Sequence, residues 1–214
     1  MKNEILTMLR AKYELQPLDL GGYAHINKNG MHFAIEVYRL PGVGQCSALS
    51  MNAMFGLMKM EMLVLTPQNV DAPLLSMDAI WAMGKHTLLC ELYDTQISPW
   101  DTAPLDAVKA GGADLPDHDL GSHWYDPLKL SPSLAKRGKK SAAYEELAEN
   151  FAAAYLQQLP GAVPCDPAAK RAKTAAYVNG LLQNGGPSTD QFVKMIGREQ
   201  TADLFTRYIF GSAE

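Results

Sequence analysis

The chain has 214 residues, of which 47% are hydrophobic and 20% charged, with a formal net charge of -4 and a pI near 5.7. This composition is typical of a globular protein, and the length suits a single domain over residues 1–214. No segment approaches the roughly 20 consecutive apolar residues that a membrane-spanning helix needs, and the negative net charge gives no general attraction for nucleic-acid phosphates.

The cysteines are odd in number and form no CxxC or Cys/His pair; they are Cys46, Cys90 and Cys165. Neither a disulfide framework nor a zinc site is indicated, so we expect reduced thiols and no bound metal. The first residues mix charged with apolar side chains, which is typical of an amphipathic helix rather than a signal peptide. We therefore expect a cytoplasmic protein without a membrane partner.

A helix over the first 16 residues is followed by segments with apolar residues at alternate positions, which predicts β-strands. These segments are GYAHIN, HFAIEVYRL, KMEMLVLT, LLSMDAIW and HTLLCELYD. The short turns at residues 27–30 and 82–85 favour hairpins, so the predicted sheet is antiparallel.

Residues 99–132 are rich in Pro, Gly and Asp, which predicts a long loop that could cover a cleft. Helical periodicity follows in residues 141–159, 167–183 and 189–209, with breaks at residues 185–187 and at Gly197. A strand-rich half and a helical half indicate α+β connectivity within the α/β class. The predicted architecture is a three-layer α/β/α sandwich with a central antiparallel sheet.

No GxGxxG, GxxxxGK[ST], GxSxG or HExxH motif occurs, so the sequence carries no sign of a nucleotide cofactor, a nucleophilic serine or a catalytic zinc. Two basic clusters, at residues 136–140 and 170–173, could be solvated helix ends or loops, or docking sites. The sequence leaves these alternatives open.

Three stretches carry a family resemblance. Residues 72–78 (APLLSMD) resemble a strand motif, LPLFGxD, that ends in an aspartate. Trp124 with the Leu-Ser-Pro of residues 130–132 resembles a second motif, W…FSP. The third is the run from Tyr177 to Gly211. In this order they resemble the ferredoxin-dependent bilin reductases, which are related to the red chlorophyll catabolite reductases. The resemblance covers roughly residues 20–211.

The resemblance implies the same α/β/α sandwich. It also implies an oxidoreductase that reduces a linear tetrapyrrole such as biliverdin through substrate radicals, with ferredoxin as external electron donor and no bound cofactor. The protein would supply binding, protons and electrostatics. A non-catalytic bilin-binding or haem-binding protein on the same fold is the alternative, and an unrelated domain with chance matches is a third.

Asp78 is an acid within an apolar strand and falls at the family's proton-donating aspartate, so it is the first catalytic candidate. Burial would raise its pKa, as a proton donor near neutral pH requires. An acid at an exposed strand end is the alternative. Glu61 stands where relatives that make phycocyanobilin carry a histidine, and Leu49 stands where they carry a second acid. We expect Glu61 either to form a carboxylate pair with Asp78 from the neighbouring strand or to face solvent.

The resemblance also suggests residues that bind substrate. Asn184 falls at the asparagine of the family's C-terminal motif. The alternative is that this Asn ends a helix before glycine, which is a local reason for the residue and requires no function. Arg137 and Lys136 lie near the family's propionate-binding arginine, and a guanidinium suits a carboxylate. The family's lysine in the C-terminal motif corresponds to Gly186.

Further side chains are candidates for contact with the ligand or with ferredoxin. His123, beside Trp124, is the one histidine that we would test. An adaptable wall for a flat ligand, or simply core, is expected from a group of methionines: Met51, Met54, Met58, Met60, Met62 and Met77. Ferredoxins are acidic, so we expect docking at Lys136, Arg137, Lys139 or Lys140.

Overall fold

The computed structural model describes residues 1–213 and contains eight β-strands and six α-helices. The strands are β1 Gln16–Pro17, β2 His25–Lys28, β3 Met31–Leu40, β4 Gly44–Ala53, β5 Met58–Pro67, β6 Leu74–Ala82, β7 Lys85–Tyr93 and β8 Leu134–Gly138. The helices are α1 Lys2–Arg10, α2 Ala103–Gly111, α3 Ser141–Gln158, α4 Pro167–Asn184, α5 Pro187–Ile196 and α6 Arg198–Asp203, and a π-helical turn over Leu204–Ile209 follows α6.

All strands belong to one antiparallel sheet of order β1-β3-β4-β5-β6-β7-β8, with β2 also paired to β3. Helices α1, α2 and α3 cover one face of the sheet, and α4, α5, α6 and the π-helical turn cover the other. Each face packs its own apolar core. The predicted α/β/α sandwich with a central antiparallel sheet is confirmed.

Three elements differ from the sequence-based expectations. Strand β4 was not predicted, because its sequence GQCSALSMNA alternates small and polar residues and lacks the β-branched side chains typical of strands. Its residues 44–49 are nevertheless buried, since the strand lies inside the sheet. The expected long loop contains α2, and the basic cluster at residues 136–140 begins in β8 rather than in a loop or a helix end.

The segment before β6 is held from both helical layers. From α3, Tyr155 Oη donates to the carbonyl oxygen of Pro73 at 2.6 Å. From α4, the fully buried Lys170 donates through Nζ to the carbonyl oxygens of Ala72 (2.6 Å) and Thr95 (2.7 Å) and to Thr95 Oγ1 (3.1 Å). Burial lowers the pKa of Lys170 to about 8. These contacts fix the start of the strand that carries Asp78.

Replacing Lys170 by methionine keeps an unbranched stem but removes the Lys170 donor from three acceptors, of which only Thr95 Oγ1 keeps another donor, the Leu74 backbone N–H. We expect Lys170→Met to lower the free energy of unfolding by about 3 kcal/mol, measured by urea denaturation. Lys173→Met, one turn along α4 at an exposed position, is the matched control and should cost less than about 1 kcal/mol. Equal losses in the two variants would contradict the anchoring role of Lys170.

Candidate functional site

A cavity of about 470 Å³ lies between the sheet and the layer formed by α4, α5 and the π-helical turn. This volume is within the usual range of sites for small organic ligands. Much of its apolar wall is methionine and aromatic: Met31, Phe33, Met51, Met58, Met60, Met62, Tyr93, Tyr125, Tyr177, Phe192, Phe205 and Phe210. Its acidic and imidazole groups are Asp78, Glu91 and His123. An apolar ligand with a few polar groups suits this lining.

The methionine wall expected from the sequence is present in part. Met51, Met58, Met60 and Met62 line the cavity, whereas Met77 lies in the core on the opposite face of the sheet and Met54 is exposed at a hairpin tip. These four methionines and Met31, which also lines the cavity, can change rotamer at little cost, so this part of the wall can adapt to a ligand.

Asp78 lies on the sheet floor of the cavity. The strand register aligns it with Met62 on β5 and Leu89 on β7, and Met62 is itself aligned with Leu49 on β4. The residue borders the cavity, but its Oδ1 is buried and has no hydrogen-bond partner. Desolvation, with a smaller contribution from the Glu91 charge, raises the pKa of Asp78 to about 7. Asp78 can therefore hold a proton near neutral pH and release it to a ligand.

Glu91 is a second carboxylate on the same face, and it was not identified from the sequence. It lies on β7 opposite Ser76, accepts a hydrogen bond from Tyr93 Oη at 2.8 Å and pairs with Lys129 Nζ at 2.8 Å. A signal was available, because the tight turn between β6 and β7 sets a register in which Asp78 and Glu91 fall on the same face. The two carboxyl groups differ in environment: Glu91 has partners, and Asp78 Oδ1 has none.

His123 borders the cavity from the segment between α2 and β8. Its ring stacks on Tyr125 with centroids 4.9 Å apart, and its backbone N–H donates to Asp126 Oδ2 at 2.7 Å. His123 Nδ1 lies 4.0 Å from Asp126 Oδ1 and is buried without a hydrogen bond. The cavity thus has a partnerless buried polar atom on Asp78 and another on His123.

Trp124 fixes this segment over the cavity. Its Nε1 donates to the Gly185 carbonyl oxygen at 2.9 Å, and its ring packs so closely on α4 that a Cβ at Gly180 would lie 2.3 Å from Trp124 Cη2. Leu120, His123 and Tyr125 from the same segment line the cavity. The expectation that residues 99–132 cover a cleft is therefore confirmed for this part of the segment.

Glu61 does not join Asp78. On β5 it is aligned with Ala79 rather than Asp78, so its side chain points to the opposite face of the sheet. There it accepts a hydrogen bond from the Lys2 backbone N–H at 2.9 Å and lies 3.5 Å from the N-terminal ammonium group. The expected carboxylate pair with Asp78 is wrong, because a one-residue difference in register reverses the face of a strand residue.

Lys136 lies away from the cavity as well. It is buried on the face covered by α1, α2 and α3, where Nζ contacts the Leu115 carbonyl oxygen at 3.0 Å and Asp117 Oδ1 at 2.7 Å. Its expected contact with a propionate or a ferredoxin is therefore wrong. Arg137 is aligned with Thr87 on the cavity face, is half-buried and lies outside the lining.

Asn184 is exposed at the end of α4, where Gly185 stops the helix with φ 79°. It does not line the cavity, whereas the neighbouring residues 186–189 and Gln191 do, so its expected contact with substrate stays a prediction. No lysine or arginine is among the lining residues of the cavity in the described part of the chain.

Within residues 1–213, no cluster of three or more His, Cys, Asp or Glu side chains could hold a metal ion. The same residues contain no helix long and apolar enough to cross a bilayer.

The sequence matches no protein-family model and no curated protein sequence. The fold, in contrast, is shared with a solved plant enzyme over 98% of this chain and 81% of the other, with a TM-score of 0.80 and 12% identity. That structure is phytochromobilin synthase from tomato in complex with biliverdin. The likeness shows that this chain has the same fold as that synthase.

The raised pKa of Asp78 predicts a pH dependence of stability. The pKa rises from 3.8 to about 7 on folding, so the folded protein binds a proton that the unfolded chain has already lost, and ionisation of Asp78 lowers stability as the pH rises through this range. Asp78→Asn removes this effect. Its free energy of unfolding, relative to the unchanged protein, should rise by about 2 kcal/mol between about pH 5 and about pH 8.

Urea denaturation over a pH series measures this difference. Asp114→Asn, which changes an exposed aspartate, is the control and should show a flat difference. A flat difference for Asp78→Asn as well would mean that Asp78 titrates near its ordinary pKa in the folded protein.

Proposed function

We propose that this protein reduces a linear tetrapyrrole, with electrons delivered singly by a ferredoxin and protons delivered by the protein. The observation that carries the proposal is Asp78, a carboxyl group with a pKa of about 7 and a buried, partnerless Oδ1, on the floor of an apolar cavity. The shared fold with a biliverdin-bound enzyme supports the choice of ligand.

In the proposed reaction, a double bond of the bilin gains two electrons and two protons in successive one-electron steps. Each electron comes from a reduced ferredoxin, which is oxidised. Asp78 gives its carboxylic proton to the reduced bilin and regains one from solvent. The Glu91 charge favours the protonated form of Asp78 before the transfer, since it raises the pKa.

His123 is proposed to deliver the second proton from the wall formed by residues 120–125. Its partnerless Nδ1 is close to Asp126, and Asp126 accepts from the His123 backbone, which fixes the residue beside the cavity. Donors on the floor and on the wall can reach different carbon atoms of one ligand. The positions of Asp78 and His123 would then decide which double bond is reduced.

Asp78→Asn should separate ligand binding from chemistry, because the amide keeps the shape but cannot give a carboxylic proton. We expect the variant to bind biliverdin, to accumulate a reduced radical under anaerobic conditions with reduced ferredoxin, and to form product about 10²-fold more slowly. Absorbance spectra follow bound bilin and product, and electron paramagnetic resonance follows the radical.

Glu61→Gln is the matched control, because Glu61 lies on the opposite face of the sheet, and its turnover should be unchanged. Near-normal product formation by Asp78→Asn would remove Asp78 as donor. Spectra that stay those of bound biliverdin in the unchanged protein, while a known bilin reductase turns over, would refute the reductase proposal.

A second candidate function is a bilin-binding protein without turnover. The observation that favours it is Leu49, fully buried in the same cross-strand row as Asp78, where the family resemblance places an acid. Tight binding with no spectral change after reductant is added would support this candidate over the reductase.

Lys139 and Lys140 are the exposed cations of the expected ferredoxin-docking cluster, since Lys136 is buried. We expect Lys139→Glu/Lys140→Glu to slow ferredoxin-dependent turnover several-fold at low ionic strength, because opposite charges mainly speed encounter. Added salt should remove the difference, and bilin affinity should stay the same. Arg171→Glu/Lys173→Glu on α4 is the charge-matched control, and equal rates for both double variants would exclude docking at Lys139 and Lys140.

A further inference from the structure

One end of the sheet carries three hairpin turns side by side, joining β2 to β3, β4 to β5 and β6 to β7. Large apolar side chains are exposed there. Met54 is 61% exposed, Phe55 110%, Leu57 73% and Met83 93%. We call these four residues, together with Lys28, Lys59 and Lys85 of the same turns, the hairpin edge.

The turn chemistry shows that local folding does not explain these apolar residues. The β2–β3 turn uses Asn29 and Gly30 with φ of 54° and 72°, and Asn and Gly are the residues that such left-handed positions favour. The β6–β7 turn has nearly the same backbone, φ 52° and 71°, but places Met83 where the first turn has Asn29. Phe55 also has a left-handed φ of 56°. A left-handed backbone is unfavourable for residues with large side chains, and the exposed side chains of Phe55 and Met83 gain no burial that would offset this.

The three turns themselves carry charge of one sign, while Glu61 and Glu145 lie near His86, behind the β6–β7 turn. Residues 25–32, 52–60 and 80–87 contain no Asp or Glu, whereas the whole chain has a net charge of -4. Lys28, Lys59 and Lys85 are exposed, and none forms an ion pair within the described residues. A partner of this edge therefore has to offer an apolar interior behind a negatively charged surface.

We propose that the hairpin edge binds the surface of an anionic lipid membrane, with Phe55 and Met83 inserted among the acyl chains and the lysines at the headgroups. Turns two strands apart are separated by about 10 Å, so the apolar tips are distinct projections rather than one flat patch. A globular protein would need a matching pocket for each tip, whereas a fluid lipid surface accepts both. Each lysine near an anionic surface adds to binding.

This contact is peripheral, so it agrees with the absence of a membrane-spanning helix in residues 1–213 while differing from the sequence-based expectation of no membrane partner. It also lies next to the cavity, since Met31 and Met58, which begin strands at this end, line the cavity wall. An apolar ligand dissolved in a membrane would thus meet the protein at the end where the cavity begins. The proposal does not depend on turnover of a bilin.

The test is co-sedimentation with vesicles of phosphatidylcholine alone and with about one third phosphatidylglycerol. The unchanged protein should bind the anionic vesicles, bind the neutral ones much less, and dissociate as salt is added. Phe55→Asn/Met83→Asn should reduce binding by about tenfold or more while the fold stays intact, because Asn suits a left-handed turn position. Lys59→Glu/Lys85→Glu should reduce it to a similar extent at low salt.

Matched controls lie at the opposite end of the sheet. Ile97→Asn/Val163→Asn changes two exposed apolar residues there, at 46% and 61% exposure, and Arg171→Glu/Lys173→Glu changes two charges; both should bind vesicles like the unchanged protein. No binding to anionic vesicles, or equal binding by Phe55→Asn/Met83→Asn, would overturn the proposal. If vesicle binding is absent, calorimetry without lipid tests the other partner. A requirement for Phe55 and Met83 in binding an acidic ferredoxin would then assign the hairpin edge to a protein instead of a membrane.

Discussion

The alternation of side chains across an antiparallel sheet is the constraint on which the rest of this structure depends. The sheet is buried on both faces, so each strand must supply two sets of apolar side chains, and each polar residue within a strand is assigned to one helical layer or the other. Asp78 and Glu91 share the cavity face through this alternation, and Glu61 is directed to the N-terminus of α1. Whether a polar residue faces the cavity therefore depends on whether its position along the strand is odd or even.

Much of the architecture could be predicted from the sequence, because hairpin turns and period-two patterns are local signals. The β6–β7 hairpin is an example: a four-residue turn between two apolar strands specifies pairing, register and the position of Asp78. Strand β4 could not be predicted in this way. Its small and polar residues become strand only because β3 and β5 pair with it on both sides, which is a tertiary effect.

The site was predictable to a smaller extent, because tertiary contacts decide which side chains reach the cavity. An acid in an apolar strand has few explanations, and Asp78 proved to lie on the cavity floor. Lys136, in contrast, lies in a basic run that resembles a solvated loop, and only the pairing of β8 with β7 buries it against Leu115 and Asp117. Asn184 was placed by motif alignment, and a difference of two residues along the chain separates it from the cavity lining at Gly186. Sequence patterns identify residue types, whereas contact with a cavity depends on helix ends and strand faces.

Helices α3 and α4 donate hydrogen bonds to the carbonyl groups of two adjacent residues, Pro73 and Ala72. Tyr155 and Lys170 tie the two outer layers to backbone carbonyl groups of the sheet at one end. At the other end the ties are to side chains: Ser141 of α3 contacts Trp81 Nε1 and His86 Nδ1, both at 3.1 Å, and Gln191 of α5 donates to Met31 Sδ at 3.3 Å. Separation of the layers is therefore resisted by hydrogen bonds to the backbone at one end and by hydrogen bonds to side chains at the other. Side chains change rotamer more easily than the backbone moves, so the volume of the cavity should fluctuate more near Met31 and Met58 than near Tyr93.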